Sequence, residues 1–157
     1  MNANYRESLI LHEENVLMKL NFSHTIALRV RYSETDQMGY SYYGNYAQYF
    51  EVGRVEAMRK LGISYRQLEE QGIMLPVSEF SVSYKAPALY DDELSITTTI
   101  SSVQGARLHF DYVIYNVEKK LVATASTTLV FVAKNTMRPI PAPQSFIEMV
   151  KPYALLE

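Results

Sequence analysis

One amphipathic helix, set in a chain that otherwise alternates with a period of two, leaves this sequence very few folds. From Tyr46 to Leu61 the apolar positions 46, 49, 50, 53, 57, 58 and 61 recur at spacings of three and four, which gives a helix one buried stripe. Asn45 stands where an N-cap belongs and Gly62 where a left-handed C′ residue belongs. Glu56 and Lys60 form an i,i+4 pair on the outer face. Gly53, in mid-helix, costs about 1 kcal/mol relative to alanine, so another backbone or a ligand is expected to approach it closely. A second, short helix is read over 64–71.

The rest of the pattern is strand. Before the helix, Ile26, Leu28, Val30 and Tyr32 alternate with Ala27, Arg29 and Arg31 from His24 onward. After it, Phe80, Val82 and Tyr84 make one alternating run, Leu94, Ile96, Thr98 and Ile100 a second, and Leu108, Phe110, Tyr112 and Ile114 a third. Turns are expected at Gln104-Gly105 and over 116–120. Val122 to Ala133 has small or β-branched residues on both faces, as a central strand does. Pro139, Pro141 and Pro143 then stop the sheet before a short last helix. The order strand, long helix, four strands predicts an α+β fold, with the helix covering one face of a five-stranded antiparallel sheet. Such a sheet has edges to protect, and pairing between subunits protects them.

A length of 157 residues suits one domain, read here over 21–157, with 1–20 as an N-terminal extension in which Leu9, Ile10, Leu17 and Leu20 make a weak helical stripe. No run is long enough for a membrane span, and the first residues lack a secretory signal's apolar centre. There is no cysteine, which excludes disulfides and thiolate chemistry. Fifteen Lys+Arg against 17 Asp+Glu argue against a nucleic-acid binder. His12, His24 and His109 lie far apart without ligand spacing, so no metal site is expected and each is read as a surface or strand residue. There is neither a nucleophile elbow nor a Gly-rich phosphate loop. Acid–base or nucleophilic work therefore falls to a carboxylate.

The chain has 13 tyrosines and no tryptophan, and Tyr32, Tyr40, Tyr42, Tyr43, Tyr46 and Tyr49 crowd around one carboxylate, Asp36. Asp36 lies between the first strand and the start of the long helix. Backbone N–H groups at a helix start are unpaired and can bind an oxyanion, so a carboxylate beside them can attack a carbonyl or direct water onto it. Taken alone, the pattern fits better an Asp that merely caps its turn. Glu34 reads as solvated beside Arg31. Tyr42, Tyr46 and Tyr49 have the spacing of a pocket wall, yet an aromatic stripe at helical spacing is more often plain core. Glu51 and Arg54 read as a pair along the helix, and Asp91 and Asp92 as turn residues.

The segment Glu34-Thr-Asp-Gln-Met-Gly39, followed by Tyr42-Tyr-Gly-Asn-Tyr46, Tyr49-Phe-Glu51 and Arg54, resembles the signature of the hotdog-fold acyl-CoA thioesterases of the 4-hydroxybenzoyl-CoA thioesterase type. The stretch from Tyr84 through Lys-Ala-Pro-Ala-Leu-Tyr-Asp-Asp-Glu to Leu94 resembles that family's second common stretch. The likeness runs from about His24 to Pro141 and leaves residues 1–20 outside. It implies a central helix wrapped by an antiparallel sheet, subunits joined edge to edge as a homodimer or homotetramer, and active sites at the subunit interface.

The resemblance further makes Asp36 the catalytic carboxylate, as nucleophile or general base, and the Tyr43 backbone N–H the oxyanion donor, with Gly39 in the tight turn between them. Some relatives carry His where this chain has Tyr43; a backbone donor survives that exchange and an imidazole role does not. Tyr42 and Tyr46 then line the acyl pocket. Lys85, Arg107, Lys134 and Arg138 are the cations available to coenzyme A phosphates, and Arg107, in the turn where relatives place nucleotide contacts, is the foremost; scattered cations are more often simply solvated. The implied function is hydrolysis of an acyl-CoA thioester in the cytoplasm, with coenzyme A entering only as part of the substrate and no cofactor. Two rivals remain: a thioesterase acting on acyl carrier protein, and a non-catalytic module that binds acyl-CoA. A dehydratase is disfavoured, because that chemistry normally uses a histidine and none stands in this loop.

Overall fold

Period-two patterning becomes strand except at the end of the first run, where the strand stops at Arg29 and Tyr32 opens a 3-10 turn, and the long helix is laid across the face those strands make apolar. The computed structural model describes residues 15–156; the expected N-terminal stripe with Leu9 and Ile10, and His12, lie outside the described residues. In chain order the elements are β1 (Met18–Arg29), α1 (Tyr46–Leu61), α2 (Tyr65–Glu70), β2 (Ile73–Met74), β3 (Val77–Tyr84), β4 (Glu93–Gln104), β5 (Arg107–Asn116), β6 (Leu121–Val130), β7 (Val132–Ala133) and α3 (Gln144–Val150). Short 3-10 turns lie at Tyr32–Glu34, Tyr43–Asn45 and Lys151–Tyr153.

Five strands form one antiparallel sheet in the order β1-β4-β5-β6-β3. This is the expected hotdog arrangement. β1 begins at Met18, ahead of the regular alternation, and pairs with β4 along its length. β6 is interior, as its two-faced apolar character predicts, but the expected run to Ala133 is divided. The ladder runs out where β5 and β3 begin: Val130 N–H donates to Pro76 C=O at 3.0 Å and Phe131 N–H to Ala106 C=O at 2.8 Å. The next residues change partner, and β7 pairs with β2 in a separate two-stranded sheet.

α1 has the expected bounds. It ends at Gly62, whose φ of 116° is left-handed and whose N–H reaches Met58 and Arg59 C=O, both at 3.1 Å. Its start differs from expectation. Asn45 already has helical angles in the 3-10 turn, makes no side-chain cap, and donates from Nδ2 to Glu34 C=O at 2.7 Å instead. Glu56 pairs with Arg59 at i,i+3 rather than with Lys60. The inward stripe of Tyr46, Tyr49, Phe50, Ala57 and Met58 packs on the core-facing side chains of β4 and β5, among them Ile96, Ile100, Phe110 and Ile114. β1 is partly covered at its outer edge by the C-terminal segment, where Leu155 N–H donates to Lys19 C=O at 2.9 Å. β3 has no strand on its outer side among the described residues, and its Phe80 is 43% exposed. No helix among the described residues is long and apolar enough to cross a membrane.

The mid-helix glycine is explained by the sheet. A Cβ on Gly53 would lie 2.6 Å from Thr98 Oγ1 and 3.1 Å from Ile96 Cγ2. Thr98 is fully buried, so it has no room to swing away at low cost, and its hydroxyl has no hydrogen-bond partner among the described residues. Gly53→Ala is therefore expected to lose about 1–3 kcal/mol from overpacking, more than the about 1 kcal/mol that alanine returns in helix propensity. In a Thr98→Ala background the same change should be neutral or stabilising. A double-mutant cycle by denaturant unfolding checks this; additive effects would refute the contact.

Candidate active site

The loop from Arg31 to Asn45 is built around a buried carboxylate that is not Asp36. Glu34 is 7% exposed. Its Oε1 accepts from the Arg31 backbone N–H at 2.8 Å and from the Tyr49 hydroxyl at 3.1 Å, and its Oε2 lies 3.3 Å from Arg31 Nη2. Its backbone C=O accepts from Tyr42 N–H at 2.8 Å and from Asn45 Nδ2 at 2.7 Å. The expectation of a solvated Glu34 is thus corrected. Tyr49, one turn into α1, draws the carboxylate inward, and Ser41 Oγ, 2.9 Å from the same hydroxyl, completes the network.

Asp36 sits at the tip of this loop. Its Oδ1 accepts from Met38 N–H at 2.8 Å and its C=O from Gly39 N–H at 3.0 Å, while its own N–H donates to Tyr40 C=O at 3.1 Å. Gly39 has φ 85°, a conformation that suits glycine. Asp36 therefore does cap its turn, through one oxygen, and is exposed. Tyr42 is close enough to feel it: the Tyr42 hydroxyl is held above its usual range, first by its hydrogen bond and charge coupling to Tyr43 and last by the Asp36 charge.

The first turn of the helical segment is free to receive an acceptor. Asn45 N–H donates to Tyr42 C=O and Tyr46 N–H to Tyr43 C=O. No protein acceptor meets the N–H of Tyr43 or Gly44 among the described residues. Beside them opens a cavity of about 210 Å³ bounded by Tyr40, Ser41, Tyr43, Tyr46, Tyr84 and the segment 85–87. Tyr84 fixes the wall: its hydroxyl donates to Tyr43 C=O at 3.1 Å and its ring stands edge-on to Tyr46 at 5.0 Å.

Of the residues singled out from sequence, Tyr43, Tyr46 and Lys85 line this cavity, and Asp36, Gly39 and Tyr42 lie on the adjoining loop. Arg107 is elsewhere, exposed at the start of β5 and paired with Gln104 and Val130. Tyr46 and Tyr49 belong to the core as well. His109 and His24 are strand residues, and Asp92 caps its turn by accepting from Leu89 N–H at 2.8 Å. Glu51 and Arg54 do not pair. Arg54 turns inward, donating from Nε to the Tyr65 hydroxyl at 3.0 Å and from Nη1 to the Tyr112 hydroxyl at 3.1 Å. Tyr40, one of the clustered tyrosines, lines the cavity too, whereas Ser41 and Tyr84 are wall residues that the sequence does not single out; Tyr84 stands at the head of the second motif stretch, the one signal for it.

Comparison with known proteins places these features in a family. The family model described as the thioesterase-like superfamily matches residues 30–150. The chain is similar to the Escherichia coli acyl-CoA thioester hydrolase YbgC, 34% identical over 124 residues, covering 79% of this chain and 92% of that one. It is similar in structure to a DHNA-CoA thioesterase from Staphylococcus aureus, with TM-score 0.78, 35% identity, and coverage of 81% of this chain and 87% of that one. It is also similar to an aspartate-to-asparagine mutant of 4-hydroxybenzoyl CoA thioesterase complexed with 4-hydroxybenzoyl CoA, with TM-score 0.76, 25% identity and coverage of 82% and 99%.

Burial around the site has a consequence at alkaline pH. Desolvation pushes the phenols of Tyr46, Tyr49 and Tyr65 from 10.0 up to about 12. Between those values the unfolded chain releases protons that the folded one keeps. The stability held by these neutral phenols is complete below pH 10.0 and is lost as the pH rises towards about 12. Melting temperature is therefore expected to fall over that interval, with a class of tyrosines gaining tyrosinate absorbance only as circular dichroism is lost. Full tyrosine ionisation in the folded protein would contradict it.

Proposed function

The chain belongs to the thioesterase-like superfamily, and from that membership we propose that Asp36 and the first turn of α1 together hydrolyse an acyl-CoA thioester. The protein is a thioester hydrolase of the acyl-CoA thioesterase type. The observation that carries the mechanistic reading is the pairing of an exposed carboxylate, held by one oxygen at the loop tip, with the Tyr43 and Gly44 N–H groups, which meet no acceptor among the described residues, Tyr43 itself lining a tyrosine-walled cavity. A thioester carbonyl directed at those N–H groups is polarised, and the charge that grows on its oxygen in the tetrahedral intermediate meets preorganised donors. The other Asp36 oxygen either takes a proton from the attacking water or itself attacks the carbonyl carbon, water then cleaving the anhydride. In both routes the C–S bond breaks, the thiolate of coenzyme A takes up a proton, and the free acid leaves. The related aspartate-to-asparagine mutant complexed with a thioester supports assigning the chemistry to a carboxylate.

Around this centre, Gly39 keeps the turn tight, Tyr42 and Tyr46 bound the acyl group, and Lys85 at the cavity mouth is the first candidate for a coenzyme A phosphate, with Arg107 the second. No cofactor is called for beyond the substrate. We place the protein in the cytoplasm, acting as a homodimer or homotetramer. The open edge of β3, with exposed Val77, Phe80 and Tyr84, suits an antiparallel match to a second copy.

Asp36→Asn keeps the oxygen that accepts from Met38 N–H, so its melting temperature should stay close to wild type. Turnover of an acyl-CoA panel should drop about 10²–10⁴-fold. A variant with ordinary hydrolysis would sink the assignment. Matched coenzyme A and carrier-protein thioesters, run side by side, separate the two substrate carriers. Light scattering should return a multiple of the 18.0 kDa chain mass; a monomer at micromolar concentration would rule out the edge pairing.

A further inference from the structure

Among the described residues, Arg54 is a buried charge that neither the hydrolytic site nor the loop around it uses. It is 8% exposed, yet among the described residues no carboxylate lies within ion-pair distance of it. Its two hydrogen bonds go to phenol hydroxyls, those of Tyr65 and Tyr112, and the latter is only 2.6 Å from Thr127 Oγ1. Those groups orient the guanidinium but bring no negative charge. Arginine cannot escape the cost of burial by deprotonating, and an unpaired buried cation is costly. Its Nη2 donors have no acceptor among the described residues.

Arg54 also forms part of the wall of a second cavity, of about 210 Å³, distinct in its lining from the one at the helix start. The rest of its lining is mixed: apolar Leu68, Ile73, Met74, Leu75 and Pro76, the Tyr65 side chain, and the exposed Glu51 and Glu69. Arg54 is the buried cation of that lining, and beside its apolar residues it suits a ligand with one negative charge and an apolar body. The planar guanidinium matches a carboxylate, and the two glutamates of the lining repel a dianion such as phosphate more strongly than a monoanion. The volume lies below the about 300–1,000 Å³ of a drug-sized site, so the ligand is a short aliphatic or single-ring acid. We infer that the Arg54 cavity binds a small apolar monocarboxylate through the Arg54 guanidinium. The acid released by thioester hydrolysis belongs to this class. That last link rests on the function proposed above; the site itself does not.

Benzoate tests the site, with benzamide as the uncharged molecule of the same shape. Calorimetric titration of the full-length protein should show saturable benzoate binding, and benzamide should bind at least tenfold more weakly. Arg54→Met, which replaces the charge with an apolar side chain of similar length, should lose benzoate at least tenfold. Leu75→Phe, which fills the cavity and leaves Arg54 in place, should do the same and decides the matter if Arg54→Met fails to fold. Asp36→Asn should bind benzoate as wild type does, so loss of hydrolysis and loss of the acid site are read separately. Equal binding of benzoate and benzamide, unchanged affinity in Leu75→Phe, or no benzoate binding by wild type would overturn the inference.

Discussion

The buried carboxylate of Glu34 is the interaction on which the arrangement of this site depends. Glu34 ties together the stretch that links β1 to α1: its carboxylate holds Arg31, just beyond β1, and Tyr49 in the first turn of α1, while its backbone C=O holds Tyr42 and Asn45 at the start of the helical segment. Charge-assisted hydrogen bonds of this kind are stronger than neutral ones, and in a buried setting each lost partner leaves a costly orphan. The loop is therefore determined at its root, and its tip can carry an exposed aspartate without becoming slack.

The same economy governs the helix. α1 can settle on β4 only because Gly53 has no side chain to strike Thr98 and Ile96. That close approach carries Tyr46, Tyr49 and Phe50 down into the core together. The tyrosine rings supply apolar area while their hydroxyls find partners at the margin, Tyr49 on Glu34 and Ser41, Tyr65 and Tyr112 on Arg54. Polar groups thus gather in two places along one helix, its first turn and the level of Arg54, with packed aromatic rings between.

Much of the fold was legible in the sequence, because it rests on periodicity. The 3.6-residue stripe and Gly62 gave α1 its bounds, strict alternation identified four of the five strands, and small or β-branched residues on both faces marked the fifth, β6. What was not legible depended on partners far away along the chain. Asn45 has the composition of an N-cap, but its amide goes to a carbonyl eleven residues earlier. Glu34 looks like a surface residue until Tyr49 is packed above it. Arg54 sits one turn from Glu51, where a local rule pairs them, yet two phenols from α2 and β5 reach it first. The end of β6 is decided by where its neighbours begin, which its own residues do not encode. For the site, the motif stretches marked Asp36 and the segment around Lys85, while the cavity wall they share emerged only from the tertiary structure.

Glu34 and Asp36 show why position in a motif does not settle a role. They are two residues apart in one short loop and chemically almost alike. Glu34 is buried, and both its oxygens are engaged by groups that hold the backbone in place. With both oxygens tied to groups that fix the backbone, it is suited to structure. Asp36 is exposed, and a single oxygen is held by the Met38 N–H. Its other oxygen is at liberty to meet water or a carbonyl carbon, while the bond to Met38 keeps the carboxylate from wandering. A carboxylate that must change its bonding during a reaction needs that combination of one fixed oxygen and one unengaged oxygen. Within this loop only Asp36 has it, and Glu34 is what holds the loop in place around it.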